Sequence, residues 1–137
     1  MKQMIYISQP FGFDKPMLAG VLSQARRNNP KNNITGALIC RQDMYIQLIE
    51  GPEAAIDALF ARIAEDDRHA NVRVLLSQAV NDRMFSDWAM LDDEARSLTW
   101  SREEIEAGAI ANASDADLIS VFADLAERAR KGGTAPA

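Results

Sequence analysis

NNPKNNITGALICRQDMYIQLIEG, residues Asn28–Gly51, is the stretch that decides the fold. Two apolar runs within it, Ile34–Cys40 and Met44–Ile49, flank a short polar turn. Their length and their β-branched and aromatic content predict a β-hairpin. Gln47 stands inside the second run, and a buried amide left without a partner costs roughly 1–3 kcal/mol. The pattern therefore predicts a hairpin in the core and a partner for this amide.

The composition indicates one globular domain. The chain has 137 residues, of which 47% are hydrophobic, so it can bury a core without disulfides or metals. A net charge of −5 does not favour nucleic-acid binding, which depends on a basic surface. The single cysteine, Cys40, excludes an internal disulfide, and the single histidine, His69, is too few for a His-rich metal site.

Targeting signals are not visible in the sequence. The N-terminus enters a strand-like run directly, without the pattern of a secretory signal peptide. No apolar segment approaches the roughly 20 residues that a membrane-spanning helix needs. We therefore expect a cytoplasmic protein.

The order of apolar patterns predicts an α+β fold. A strand at Met4–Ser8 precedes a helix that ends near Asn28, and a second helix begins near Glu53 after the hairpin. A strand at Val72–Leu76 and a short edge strand at Asp87–Leu91 follow. This is the βαββαβ order of the ferredoxin-like fold with one added strand, which places both helices on one face of the sheet.

The C-terminal part of the chain predicts a cover for the other face of the sheet. Ser101 begins a helix with a capping-box pattern, and a second helix spans about residues 114–130. We expect residues 1–92 to form the main domain, residues 93–131 a cap of two helices and residues 132–137 a disordered tail.

Polar side chains at strand and helix-end positions are the unusual feature of this sequence. Taken singly, Tyr6 and Trp88 would be packing residues of the core. Asn28 and Asn29 would cap a helix and form a turn, and Gln47 would point outward from a half-exposed strand. The predicted topology, however, places Tyr6 and Gln47 on neighbouring central strands, with the two asparagines beside the hairpin. A planar ligand between the helices could contact all four.

Catalytic motifs are not evident in the sequence. One histidine leaves no nucleophile–histidine–carboxylate set, and no Gly-rich phosphate loop of the Rossmann or P-loop type is present. A small hydrolase of the acylphosphatase kind on the same fold would need an arginine after the first strand, and Gln9–Asp14 lacks one. We therefore expect no enzymatic activity.

Five motifs run in order along residues 1–91. They are Ile5-Tyr6-Ile7-Ser8; Arg27-Asn28-Asn29 with Ile34-Thr35-Gly36-Ala37-Leu38; Ile46-Gln47-Leu48-Ile49-Glu50-Gly51-Pro52; Arg62-Ile63 with Asp67-Arg68-His69; and Arg83-x-Phe85-x-Asp87-Trp88-x-Met90. This set resembles a BLUF domain, a blue-light sensor that uses FAD. The tail is similar to the two C-terminal helices of short stand-alone BLUF proteins.

The resemblance implies a role for each matching position. Tyr6 would donate an electron and a proton to the excited flavin, and Gln47 would lie between Tyr6 and flavin N5 and O4. Trp88 and Met90 would relay the signal from the fifth strand. The residues implied to bind the cofactor are Tyr6, Asn28, Asn29, Gln47, Arg62, Ile63 and His69.

The resemblance also implies a function. Residues 1–92 would bind FAD, and light-driven transfer from Tyr6 would rearrange the hydrogen bonds of Gln47 without enzymatic turnover. The change would pass through the C-terminal helices to a partner protein, such as a cyclic-dinucleotide enzyme or a transcription regulator. Neither a nucleic acid nor a membrane is implied as a partner, and a homo-oligomer is expected. The alternative is a flavin-free ferredoxin-like interaction module that has kept the fold.

Overall fold

The computed structural model describes residues 1–10, 15–41, 44–65, 69–85, 91–93 and 114–131. These residues contain five strands, three α-helices and one short 3-10 helix. In chain order the elements are β1 (Lys2–Pro10), α1 (Lys15–Asn28), the 3-10 helix (Pro30–Asn32), β2 (Thr35–Arg41), β3 (Met44–Gly51), α2 (Glu53–Glu65), β4 (His69–Ala79), β5 (Leu91–Asp93) and α3 (Asp115–Lys131).

The five strands form one sheet in the order β4-β1-β3-β2-β5. Strands β4, β1, β3 and β2 are antiparallel to their neighbours, and β5 joins β2 in parallel. The connection from β1 through α1 to β2 leaves β3 between them, which is the split βαβ arrangement of ferredoxin-like folds. The predicted α+β ferredoxin-like fold is confirmed, with β1 and β3 adjacent near the centre of the sheet.

Helices α1 and α2 pack against one face of the sheet. Helix α2 begins after Pro52, and Glu53 stands in its first turn, where the helix dipole favours a negative charge. Met4 and Tyr6 of β1 point to this face, as alternate residues of a strand must. The apolar side chains packed between this face and the two helices form a cluster, which we call the helix-face core. Its helical members are Leu22, Ala25, Ala55, Ile56, Leu59, Phe60 and Ile63.

Helix α3 covers the opposite face. Its first turn is capped reciprocally: the Asp117 N–H donates to Ser114 Oγ at 3.2 Å, and the Ser114 N–H donates to Asp117 Oδ2 at 3.5 Å. The buried residues of α3 recur three or four positions apart and form one stripe. This second cluster, the α3-face core, contains Ile5, Ala37, Ile39, Ile46, Leu48, Leu76, Phe85, Leu118, Phe122, Ala126 and Ala129.

The prediction of a helix over residues 114–130 is confirmed by α3. The helix predicted to begin at Ser101 and the tail at residues 132–137 lie outside the described residues. No helix in the described part of the chain is long and apolar enough to cross a bilayer.

Two predicted strands have different bounds in the structure. Strand β4 begins at His69 rather than Val72, because its ladder with β1 continues as far as the pair Pro10 and His69. Strand β5 is Leu91–Asp93, so it ends two residues beyond the predicted Leu91, and residues 87–90 of the predicted strand lie outside the described residues. Composition alone did not reveal these bounds, because pairing with a neighbouring strand extends a strand beyond its β-rich run.

Candidate functional site

Tyr6 and Gln47 form a buried pair at the centre of the sheet. The register of β1 and β3 places them directly opposite each other, as the sequence predicts. Tyr6 is 1% exposed and Gln47 is 3% exposed. The Tyr6 hydroxyl donates a hydrogen bond to Gln47 Oε1. A phenol and an amide on adjacent strands therefore act as one hydrogen-bonded unit.

The surroundings of Tyr6 are apolar. The Phe60 ring of α2 meets the Tyr6 ring edge-on, with 5.7 Å between centroids and 68° between planes. Burial raises the pKa of the Tyr6 phenol well above its ordinary value of 10.0, because a phenolate would lose its hydration there. Tyr6 is consequently held as a neutral hydrogen-bond donor.

The amide of Gln47 has one end engaged and the other available. Its Oε1 accepts from the Tyr6 hydroxyl, so its Nε2 is the end that can donate to a ligand. A ligand that presents an acceptor beside β3 would satisfy it, and the carbonyl and ring-nitrogen edge of a flavin has such acceptors. The donor set therefore fits the implied cofactor.

Asn29 lies in a tight connection between α1 and β2. Its backbone N–H donates to Ala25 O at 2.8 Å, and its carbonyl oxygen accepts from the N–H of Asn32 at 3.0 Å and of Ile34 at 2.9 Å. The residue is 2% exposed, and its side chain makes no capping bond to the 3-10 helix. Asn28 is half-buried, and its carbonyl accepts from Asn32 Nδ2 at 3.1 Å. The backbone of both asparagines is thus fixed at the end of α1.

The other predicted site residues are placed less closely. Ile63 is half-buried and packs in the same helix-face core as Tyr6. Arg62 is exposed on α2, so the structure does not bring it to the buried pair. His69 is the first residue of β4, opposite Pro10 of β1. Trp88 and Met90 lie outside the described residues.

Phe60 is the site neighbour that the sequence alone does not identify. Its helical spacing from Ile56 predicts only that it belongs to the inner face of α2. The edge-on contact with Tyr6 depends on where α2 crosses β1, which periodicity does not specify. Among the described residues, no group of three or more His, Cys, Asp or Glu side chains could hold a metal ion.

Comparison with known proteins matches this arrangement to a family. A family model described as "BLUF: Sensors of blue-light using FAD" matches residues 1–91. The photoactivated adenylate cyclase subunit beta of Euglena longa is 30% identical over 102 residues, which is 72% of this chain and 12% of that protein. The chain thus spans 12% or less of the length of the photoactivated cyclases that it matches first.

Solved structures extend the similarity to most of the chain. The dark-state structure of BlrB, a BLUF protein, has a TM-score of 0.75 and 26% identity, covering 92% of this chain and 95% of that one. BlrP1 of Klebsiella pneumoniae, solved with FMN and cyclic diGMP, has a TM-score of 0.67 and 25% identity. That match covers 90% of this chain and 34% of that chain.

Proposed function

The chain belongs to the BLUF family, and we propose that it is a blue-light photoreceptor in which Tyr6 and Gln47 are the switching pair of a bound FAD. The observation that carries this proposal is the buried hydrogen bond from the Tyr6 hydroxyl to Gln47 Oε1. It leaves the Gln47 Nε2 donor for the cofactor. The same bond also defines a starting state that light could change.

The two ends of the Gln47 amide provide the switch. In the observed state its oxygen accepts from Tyr6, and its nitrogen is the end left to donate. A rotated or tautomerised amide would exchange these roles, so that Tyr6 would meet a donor and the cofactor would meet a different hydrogen-bonding group. The protein's task is to hold this pair in place.

A bound flavin would supply absorption of blue light and would accept an electron and a proton. Tyr6 is suited to give both, because its phenol is kept protonated by burial and is already hydrogen-bonded to Gln47. Leu38, paired with Gln47 on the other side of β3, and Leu59 and Ile63 of α2 would exclude water. The exclusion of water lowers the local dielectric and so strengthens the hydrogen bonds of Tyr6 and Gln47.

The remaining cofactor contacts are assigned by family resemblance. Asn28 and Asn29 would hold the flavin edge from the end of α1. Arg62, Ile63 and His69 would line the ribityl and phosphate side or the pocket wall. FAD is proposed because the family description names it, whereas BlrP1 was solved with FMN. Chromatography of the flavin released from the purified protein distinguishes the two.

The proposed output is a protein partner rather than enzymatic turnover. Trp88 and Met90 would pass the change from Gln47 to the C-terminal helices. A cyclic-dinucleotide enzyme or a transcription regulator is proposed as the receiver, in a cytoplasmic homo-oligomer. The cyclase named among the relatives and the cyclic diGMP bound to BlrP1 support a signalling role.

Illumination of the purified protein tests the switching pair. Wild-type protein should bind flavin and should shift its absorption to the red under blue light. Tyr6→Phe removes the proton donor and Gln47→Ala removes the rotating amide, so each should bind flavin without the shift. Tyr45→Phe is the matched control, because it removes a buried phenol hydroxyl two residues from Gln47 and should keep the shift. A full shift in Gln47→Ala would refute the mechanism, and a colourless wild-type protein would favour the flavin-free interaction module.

A further inference from the structure

A buried carboxylate stands on β3 close to the switching pair. Glu50 is fully buried, three residues after Gln47 and on the opposite face of the sheet. Its Oε1 accepts from the Phe85 N–H at 2.6 Å, and its Oε2 accepts from the Met84 N–H at 3.0 Å. Longer contacts of 3.4 Å come from Gln3 Nε2 and Thr35 Oγ1. The Glu50 carboxylate thus binds the segment that follows β4, at residues 84 and 85, to strand β3, which carries Gln47.

Arg83 binds the same segment to the turn between α1 and β2, residues 29–33, which we call the asparagine turn. Its guanidinium donates to Asn33 O at 2.5 Å, to Thr35 Oγ1 at 2.8 Å and to Glu50 O at 3.1 Å. Asn33 ends the turn that Asn29 begins, and it has a left-handed backbone with φ of 58°. Arg83 therefore bonds to the turn from α1 and to both strands of the hairpin.

Phe85 connects this segment, residues 83–85, to helix α3. Its side chain is fully buried in the α3-face core. The Phe85 and Phe122 rings meet edge-on, with 6.2 Å between centroids and 90° between planes. Two adjacent backbone N–H groups bound by one carboxylate orient residues 84 and 85 together. A displacement of β3 would accordingly reach Phe122 through a single side chain.

We propose that Glu50 and Arg83 are positioning residues that transmit the light-induced change from β3 and the asparagine turn to α3 through Phe85. This coupling rests on the proposed photoreceptor function. It would be a second route for the signal, in addition to the route through the fifth strand. The residues from Arg83 to Phe85 bond to two of the elements that carry proposed flavin contacts, strand β3 and the turn after α1. They touch neither Tyr6 nor Gln47 by any hydrogen bond between described residues, so they can transmit the switch without taking part in it.

The test compares two light responses in the same purified, flavin-loaded chain. One is the red shift of the flavin, and the other is the light-minus-dark difference in amide hydrogen exchange across α3. Glu50→Gln keeps the side-chain length and one acceptor oxygen, but its NH2 group cannot accept from a backbone N–H. We expect this variant to keep the red shift. The light-minus-dark exchange difference should fall at least about threefold, because one of the two hydrogen bonds between Glu50 and the N–H groups of residues 84 and 85 is lost.

The exchange difference separates coupling from a merely structural role. If Glu50 only stabilised the fold, Glu50→Gln would raise exchange in α3 equally in darkness and in light, and the difference would persist. Lys2→Met is the control, because Lys2 Nζ pairs with Asp57 Oδ1 at 2.6 Å and neither residue bonds to Glu50 or to Arg83–Phe85. It should leave both responses intact. Should Glu50→Gln fail to hold flavin, Arg83→Gln is measured in its place, with the same expected loss.

The outcomes distinguish this inference from the photoreceptor function itself. A wild-type protein without a red shift would overturn the proposed function. A red shift together with an unchanged exchange difference in Glu50→Gln, or with no α3 difference in the wild type, would overturn only the coupling through Glu50.

Discussion

At the scale of single residues, the hydrogen bond between Tyr6 and Gln47 is decided by the environment of the phenol. Water would compete for the Tyr6 hydroxyl in an exposed site, but the residue is 1% exposed and borders Phe60. Removal of water disfavours the phenolate, and the neutral phenol must donate to an acceptor. Gln47 Oε1 is that acceptor. The orientation of the amide therefore follows from the burial of its partner.

The raised pKa of Tyr6 predicts a stability that depends on pH. In the unfolded chain the phenol ionises near 10.0, whereas in the folded protein it stays protonated to higher pH. The folded state then binds more protons, so the free energy of unfolding should fall as pH rises above 10.0, by up to about 1.4 kcal/mol per pH unit. Denaturant unfolding of wild type and Tyr6→Phe from about pH 8 to about pH 11 measures this difference. Parallel stability curves for the two proteins would contradict it.

At the scale of elements, the β2–β3 hairpin depends on a glycine. Gly36 of β2 pairs with Ile49, and a Cβ built on Gly36 would collide with the backbone carbonyl of Leu48. Backbone atoms in the middle of a sheet cannot move aside as a flexible side chain can. The close approach of β2 and β3 at this point therefore requires a residue without a side chain.

Gly36→Ala should destabilise the protein by about 1–3 kcal/mol, the usual cost of overpacking a core. Gly20→Ala is the control, because Gly20 lies in α1 with no atom within 4 Å of a built Cβ. Alanine there should stabilise the protein by roughly 0.5–1 kcal/mol through its higher helix propensity. Denaturant midpoints of the two variants and wild type provide the measurement. Equal midpoints for both variants would disprove the steric argument.

At the scale of the whole molecule, the sheet has two apolar faces and needs a cover on each. Helices α1 and α2 cover the face that carries Tyr6, and α3 covers the other. Phe122 is the largest buried side chain that α3 contributes. It contacts Phe85, which the Glu50 carboxylate holds by its backbone N–H. The cover is thus attached to the same strand as the switching pair.

Phe122→Ala should cost about 3–5 kcal/mol of stability, because it removes a fully buried ring from the α3-face core. Ala123→Ser, at the adjacent exposed position, should change stability by less than about 0.5 kcal/mol. Since the helix-face core is untouched, folded Phe122→Ala should still show the red shift at low temperature. Thermal unfolding followed by circular dichroism, with flavin absorption on the same sample, checks both statements. A stability close to that of wild type would show that α3 does not close this face.

Local patterns account for the elements and for the central pair. The β-branched runs and the helical spacing predict the order of strands and helices, and the ferredoxin-like topology then makes Tyr6 and Gln47 neighbours. The strand bounds were less accurate. His69-Ala70-Asn71 lacks a β-rich pattern, and it is strand only because β1 continues beside it.

Two features of the site depended on contacts between distant parts of the chain. Resemblance places Arg62 at the pocket, but the side of α2 on which it lies is set by packing and not by a local pattern. It also gives no sign that Glu50 binds the N–H groups of Met84 and Phe85, which are 34 and 35 residues away.

By itself, the sequence determined the ferredoxin-like order of elements and the amide in the central strand, because hydrophobic periodicity is a property of neighbouring residues. It also carried the BLUF motifs, since these are read from residue identity and spacing. Only the tertiary structure decided which way the Gln47 amide faces and what the Glu50 carboxylate holds. Those outcomes depend on strand register and on the closure of long loops, which bring together groups that no local pattern relates.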